Sequence, residues 1–254
     1  KRGHYTWKDI LKTYFRYNFY AEKVVAISSG VKKDLHRSYF VSNRKIVRIY
    51  NPLDIENVTK KALQKIENKE FLSIKGKKIV HVARFTEAKD QKVLLSAFQL
   101  LMERYPCEVS LVLIGKGELE QELRDFCQEK KIKNVHFLGF QENPYPFVKN
   151  SDVFVLSSKA EGFGNVITEA MALGIPVVST DCMSGPREIL KDGQCGLLVE
   201  VGNCEALASA LEKVLTDQSL KEELVQRANK EVKQYHIKNI VKQYEKVIDS
   251  VYEK

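Results

Sequence analysis

The chain has 254 residues, 44% of them hydrophobic, and its 41 Lys and Arg outnumber 33 Asp and Glu to leave a formal net charge of +8. Such a length and apolar content suffice for one large or two smaller cored domains, and the lack of any run of ~18 apolar residues excludes a transmembrane helix. The excess positive charge asks for anionic company, whether nucleotides, phosphates, nucleic acid or an acidic membrane surface.

The opening residues, KRGHYTWKDI, carry no apolar stretch of the kind a secretory leader needs. WKDILKTYFRYNFY has a helical pattern, KVVAIS reads as a strand, SGVKKDLHRSYF as a helix opened at Ser29-Gly30, and KIVRIYNPLD as a further strand stopped by proline. Two strands and two helices cannot form a covered sheet by themselves. Residues 1–52 are therefore expected to be the closing portion of an incomplete amino-terminal Rossmann-like domain, with Asn51-Pro52 as the hinge. The alternative is that these elements extend the main sheet.

From residue 77 onward, short apolar runs alternate with helical patterns. The runs are KIVHVA (78–83), VSLVLI (109–114), NVHFL (134–138), DVFVL (152–156) and PVVST (176–180). Between them lie DQKVLLSAFQLLMERY, GELEQELRDFCQEKKI, the short PYPFVKN and NVITEAMALG, and helices near 203–215, 219–234 and 237–253 follow. This alternation predicts βαβ units and a doubly wound parallel α/β sheet covered on both faces, in a domain spanning residues 53–236. The five cysteines (Cys107, Cys127, Cys182, Cys195 and Cys204) are an odd set without CxxC spacing. They read as reduced thiols of a cytosolic protein, not as a disulfide frame or a zinc site.

In a parallel α/β sheet, ligands bind beyond the carboxyl ends of the strands, where the next helices start. Two segments there carry chemistry. In SSKAEGFGNVITEAMALGIPVVSTD (157–181), a strand ends at Leu156 and a helix is expected to begin near Asn165, so Glu161 lies in the loop and Glu169 about one turn inside the helix. Gly162 and Gly164 permit close approach of the backbone, and the free amides of a helix start favour negative charge. Two carboxylates beside such a nest would repel a phosphate unless they accept hydrogen bonds from hydroxyls, which points to a sugar joined to a phosphate. The other reading is an incidental pair of glutamates at a helix start. In KKIVHVARFTEAKDQKVLLSAF, Arg84 just after a strand and Lys89 just before a helix would emerge at the same sheet edge and meet phosphate oxygens. An ordinary solvated basic loop is the alternative there. No Asp-x-Asp pair occurs in the chain, so the site is expected to work without metal or cofactor.

Other features weigh less. LIGKGELEQEL has Gly115 and Gly117 after a strand, but Glu120 stands where a dinucleotide fingerprint wants its third glycine, so the segment reads as a tight turn near a nucleotide. His81 and His136 fall in strand patterns and are expected to be packed or edge residues. Phe163 is either core or a wall of the sugar pocket. MSGPREILKDGQCGLLVE reads as a loop with Pro186 at a helix start and a turn at Asp192-Gly193. Stacking aromatics on a basic strand face are not evident, which argues against a nucleic-acid partner. A basic helix with Trp7, Tyr14 and Phe15 beside Lys8, Lys12 and Arg16 suits either an anionic membrane surface or packing within a larger first domain.

At these residues the chain resembles the carboxyl-terminal portion of a retaining glycosyltransferase of family 4, also called glycosyl transferases group 1, whose GT-B fold sets two Rossmann-like domains across a cleft. The resemblance rests on Glu161-GFGNVIT-Glu169 and on Arg84 and Lys89 in ARFTEAKD. LIGKGEL, VHFLGF, SDVFVLSSKAEGFG, EAMALGIPVVSTD, GPREIL and DGQCGLLVE extend it, in the same order, from about residue 20 to the end. It implies that Glu169 holds the ribose hydroxyls, that Glu161 contacts the donor sugar, and that Arg84 and Lys89 neutralise the diphosphate leaving group. The backbone of Gly162, Phe163, Gly164, Asn165 and Val166 would face the sugar and phosphates, and Phe140-Gln141 the base. It further implies a nucleotide-diphosphate sugar donor, a UDP-sugar by preference, and a glycan or lipid-linked acceptor in polysaccharide synthesis. The segment 237–254 resembles the family's closing helix, which crosses back to the first domain. Two departures stand out: the common GRL is ARF here, and the usual Lys-Gly is Lys89-Asp90. The resemblance also implies a fragment or one subunit of a split enzyme, and the cysteines and the basic first helix lead to the expectation of a cytoplasmic protein or one peripheral at the inner face of the membrane. A non-catalytic nucleotide-sugar-binding subunit is the alternative reading.

Overall fold

A computed structural model describes residues 7–105 and 108–253, so the expectations resting on residues 1–6 and on Cys107 lie outside the described residues. The chain divides into two compact units, one of Lys1–Leu53 with Gln234–Lys254 and one of Asp54–Lys233.

In the smaller unit, α1 (Trp7–Phe15) runs into a π-helical turn (Arg16–Tyr20). There follow β1 (Val24–Ala26), α2 (Ser29–Ser38) and β2 (Ile46–Arg48). The Ser28 side chain caps α2 by accepting from the Val31 amide at 3.1 Å, and β1 pairs with β2 in parallel. The Lys45 ammonium donates to the carbonyls of Asn18 (2.5 Å) and Ala21 (2.8 Å), satisfying the end of the π-helical turn. A small core of Val24, Ala26, Val41 and Ile46 lies beneath.

The larger unit opens with two short helices that the sequence pattern does not announce, α3 (Ile55–Lys61) and α4 (Lys69–Ser73). It continues with β3 (Lys77–Val82), a 3₁₀ turn (Glu87–Lys89), α5 (Gln91–Arg104), β4 (Val109–Ile114), α6 (Glu120–Glu129) and β5 (Val135–Phe137). Next come α7 (Tyr145–Lys149), β6 (Val153–Leu156), α8 (Asn165–Ala172), β7 (Val177–Thr180) and α9 (Pro186–Ile189). The segment expected to be loop up to Glu200 contains a sixth strand, β8 (Leu197–Val199), after which come α10 (Cys204–Thr216) and α11 (Gln218–Glu231).

All six strands are parallel, in the order β5-β4-β3-β6-β7-β8. This is the doubly wound order, and its switch point falls between β3 and β6. Every residue of β4, β6 and β7 is buried, as a sheet covered on both faces demands. Ile79, Leu111, Val153, Val155 and Val178 join Leu94, Leu95 and Phe98 of α5 and Leu207 and Leu211 of α10 in one core cluster. His81 is fully buried within the sheet, a packed residue as its strand pattern implied.

The chain returns to the smaller unit with α12 (Ile237–Tyr252). Leu53 and the segment just before α12 bridge in parallel within that unit: the Leu53 amide donates to the Tyr235 carbonyl at 2.8 Å, and the Ile237 amide to the Leu53 carbonyl at 2.9 Å. Cys127, Cys182, Cys195 and Cys204 are all free. Burial pushes the Cys127 thiol up to about 11, and burial followed by the charge of Glu161 pushes Cys182 up to about 12. No helix among the described residues is long and apolar enough to cross a membrane.

Candidate functional site

Arg84 and Lys89 leave the sheet from the end of β3, and Glu161 from the end of β6, so the three flank the switch point. The turn holding the two cations is built from buried polar contacts. The Gln91 side-chain amide donates to the Arg84 carbonyl at 3.0 Å and lies 3.3 Å from His81 Nε2, while His81 Nδ1 lies 2.9 Å from the Val155 carbonyl. Burial, the largest effect, lowers the His81 pKa to about 4. The ring is therefore neutral, with Nδ1 donating to Val155 and Nε2 accepting from Gln91. Asp90, the departure from Lys-Gly, takes φ of +49°, a left-handed conformation that glycine adopts freely and aspartate tolerates.

Across the switch point, Lys89 Nζ meets Glu161 Oε1 at 2.5 Å, with the two side chains 24% and 10% exposed. The Ser158 hydroxyl donates to the same carboxylate oxygen at 2.6 Å. The loop then turns into α8 through Gly164, whose φ of +99° places it where an L side chain would be strained. Gly162 and Asn165 are exposed and Phe163 is buried. A Cβ on Gly185 would lie 1.8 Å from the Phe163 carbonyl, so the GPREIL segment packs directly on this loop.

Glu169, one turn into α8, lies near the Tyr145 hydroxyl, whose hydrogen-bonding influence lowers its carboxyl pKa. Burial raises the Glu169 pKa, and the Tyr145 bond offsets part of that rise. Tyr145 is itself pushed up to about 12, by burial first and then by the Glu169 charge.

Beside Arg84 a cavity of about 790 Å³ opens, lined by Gly115, Lys116, Phe140, Gln141 and Val166 among others. The glycines of LIGKGEL are there for fit. A Cβ would fall 1.9 Å from the Ala83 carbonyl at Gly115 and 2.2 Å from the Phe85 carbonyl at Gly117. Phe140 is 63% exposed with the Lys116 ammonium 5.5 Å from its ring centroid, and Gln141 is held by donating to the Leu138 carbonyl at 2.7 Å.

Of the residues the sequence pointed to, the structure brings Arg84, Phe140, Gln141 and Val166 around one cavity. It joins Lys89 to Glu161 directly and sets Glu169 on α8. Lys116, Tyr145 and Ser158 are not marked out by the sequence. Lys116 stands between the two glycines already singled out, and Ser158 lies three residues before Glu161. Tyr145 gave no sign, because its partner is set by the packing of α7 on α8. Among the described residues no cluster of three or more His, Cys, Asp or Glu has metal-holding geometry.

A family model described as glycosyl transferases group 1 matches residues 64–231. The chain is 33% identical over 216 residues to the N-acetylgalactosamine-N,N'-diacetylbacillosaminyl-diphospho-undecaprenol 4-alpha-N-acetylgalactosaminyltransferase of Campylobacter jejuni, covering 85% of this chain and 56% of that protein. It is 29% identical over 226 residues to the capsular polysaccharide biosynthesis glycosyltransferase CapM of Staphylococcus aureus, covering 84% of this chain and 57% of CapM. The chain thus spans little more than half the length of these curated relatives. Among solved structures, Anabaena HepE in complex with UDP superposes with a TM-score of 0.87 at 22% identity, covering 98% of this chain and 70% of HepE, a likeness of fold.

Proposed function

The chain belongs to the glycosyl transferases group 1 family, and on that premise we propose that it carries the donor site of a retaining glycosyltransferase of family 4. The reaction moves a sugar from a UDP-sugar to a glycan or lipid-linked acceptor. The observation that carries this reading is the convergence at the switch point. Arg84 and Lys89 leave β3 there, Lys89 pairs with Glu161 from β6, and Arg84 lines a cavity of about 790 Å³.

In this reading Phe140 and Gln141 face the base and Glu169 accepts from the ribose hydroxyls. Arg84 and Lys89 meet the diphosphate, and Glu161 accepts from a hydroxyl of the donor sugar. The amides at the start of α8 and the backbone of residues 162–166 lie against the sugar and phosphates. Two cations aimed at the diphosphate stabilise the charge that develops as the nucleotide leaves. The acceptor hydroxyl attacks the anomeric carbon from the face the nucleotide vacates, so the configuration is retained and no enzyme nucleophile is needed. UDP as the nucleotide draws support from the HepE complex, and a lipid-linked acceptor from the name of the Campylobacter relative.

A peripheral position at an anionic membrane belongs to the same proposal. Trp7, Leu11, Phe15 and Phe19 recur every fourth residue, all exposed, beside Lys8, Lys12 and Arg16, the makeup of an interfacial helix. Flotation with phosphatidylglycerol vesicles but not with phosphatidylcholine vesicles is the expected result.

The experiment for the reaction is transfer with stereochemistry. The protein is incubated with UDP-glucose, UDP-galactose or their N-acetylated forms and a polyprenyl-diphosphate-linked acceptor, and the anomeric coupling of the product is read by NMR. A product with the donor's anomeric configuration supports the proposal, and an inverted product contradicts it.

A further inference from the structure

Behind the Glu161 carboxylate lies a hydroxyl that belongs to none of the donor-binding contacts proposed for this site. Ser158 is fully buried, and its Oγ donates to Glu161 Oε1 at 2.6 Å, the oxygen that Lys89 Nζ also reaches at 2.5 Å. Among the hydrogen bonds of the described residues, none reaches Oε2. Ser158 is itself anchored on the β7 side, because the buried Thr180 hydroxyl donates to its carbonyl at 2.6 Å. Its neighbours tie the same strand end to the turn that carries the cations: the Ser157 hydroxyl donates to the Lys89 carbonyl at 2.8 Å, and the Lys159 amide to the Ala88 carbonyl at 2.8 Å.

Two donors on one carboxylate oxygen fix the rotation of the side chain and leave the other oxygen as the acceptor. The two donors differ in what they do when a diphosphate arrives. An ammonium is drawn toward phosphate oxygens, whereas a buried neutral hydroxyl on an anchored strand end is not. We propose that Ser158 is a positioning residue: it holds Glu161 Oε1 while Lys89 is engaged by the diphosphate, so that Oε2 stays aimed at the donor-sugar hydroxyl. This rests on the assignment of Glu161 to the donor sugar.

The test compares dissociation constants for UDP with those for UDP-glucose, UDP-galactose, UDP-N-acetylglucosamine and UDP-N-acetylgalactosamine. They are measured on the full chain, on Ser158→Ala, on Glu161→Gln and on the double variant. Alanine fits where serine stands, and the UDP constant reports whether the nucleotide site is intact. Ser158→Ala is expected to leave UDP within about twofold and to weaken the preferred UDP-sugar about tenfold, the lower end of what losing a hydrogen bond to a charged group entails. In the Glu161→Gln background the same change is expected to add nothing further. If Ser158→Ala weakens UDP and UDP-sugar alike, or leaves both unchanged while Glu161→Gln impairs only the sugar, Ser158 is structural and the proposal falls. If Glu161→Gln spares every UDP-sugar, or if no UDP-sugar binds differently from UDP in the unaltered chain, the assignment of Glu161 fails first and takes the inference with it.

Discussion

Lys89 Nζ stands 2.5 Å from Glu161 Oε1, joining the two halves of a doubly wound sheet at the point where the strand order reverses. The pair is mostly shielded from water, so each partner neutralises a charge that would otherwise be costly to hold there. Lys89→Ala is expected to lower stability by about 1–2 kcal/mol, since the pair is only partly buried and such losses range from near zero at the surface to ~3–5 kcal/mol inside. Adding Glu161→Gln should recover most of that loss, because the orphaned charge is then gone, yet UDP-sugar binding should stay impaired. Thermal denaturation of the single and double variants checks this, and equal stability losses in all three would remove the pair from the account.

Glu169 carries a pH signature. Its carboxyl is raised by burial, so the folded chain binds that proton more tightly than the unfolded chain does. The Glu169 contribution to stability is therefore expected to fall as pH rises from the ordinary carboxylate range through the raised value. Glu169→Gln should remove that slope and at the same time weaken UDP, whose ribose hydroxyls need the ionised acceptor. Tyr145→Phe removes a bond that favours the ionised form, so the acid limb of UDP binding should move to higher pH. Binding titrations across the acid limb decide it: an unmoved limb in Tyr145→Phe would contradict the pairing.

Asp90 keeps a left-handed turn without a glycine. With φ of +49° and a carboxylate 3.4 Å from Lys159 Nζ, it does locally what glycine does by lacking a Cβ. Asp90→Gly is expected to stay within about 0.5–1 kcal/mol of the unaltered chain, the strain relieved offsetting the ion pair lost. Asp90→Val should cost about 2 kcal/mol, since a β-branched residue is strained at positive φ. Urea denaturation measures both, and a valine variant as stable as the glycine one would show that the turn is free to rearrange.

His81 gives the fold an acid limit of its own. Its pKa of about 4 in the folded chain lies below the ordinary 6.5, so the unfolded chain takes up the proton first. In Glu169→Gln, which lacks the opposing carboxyl contribution, stability should decline as pH falls from about 6.5 toward 4, by up to ~3 kcal/mol at 1.36 kcal/mol per pKa unit. Thermal midpoints of that variant across the range test it, and a midpoint independent of pH would place the imidazole in a solvated site.

The sheet was legible wherever a strand is buried on both faces. VSLVLI and DVFVL are continuous apolar runs because neither side of the ribbon meets water. Leu197–Val199 was not, because a three-residue edge strand between Gly196 and Glu200, buried only at Val199, looks like loop. The short helices α3 and α4 bury one residue each, Val58 and Phe71, and so show no apolar periodicity. Their side-chain caps were the available signal: Asp54 accepts from the Asn57 amide at 3.0 Å and Asn68 from the Phe71 amide at 2.9 Å. At the candidate site, the placement of Arg84, Lys89 and Glu161 beyond strand ends, and of Glu169 one turn into α8, was legible because a strand end and the helix after it can be read from the pattern, and such edges are where ligands are expected. That Lys89 would touch Glu161 was not, since it depends on β3 lying beside β6, 72 residues apart along the chain at the pair itself.

The most direct measurement is a calorimetric titration of UDP into the unaltered chain and into the Arg84→Ala, Lys89→Ala double variant, both in EDTA. Saturable one-to-one binding by the unaltered chain is expected with chelator present. The double variant should bind about 100-fold or more weakly, since two charge-assisted contacts of ~1.5–3 kcal/mol each are removed. Undiminished binding by the double variant, or loss of binding by the unaltered chain on chelation, would contradict it.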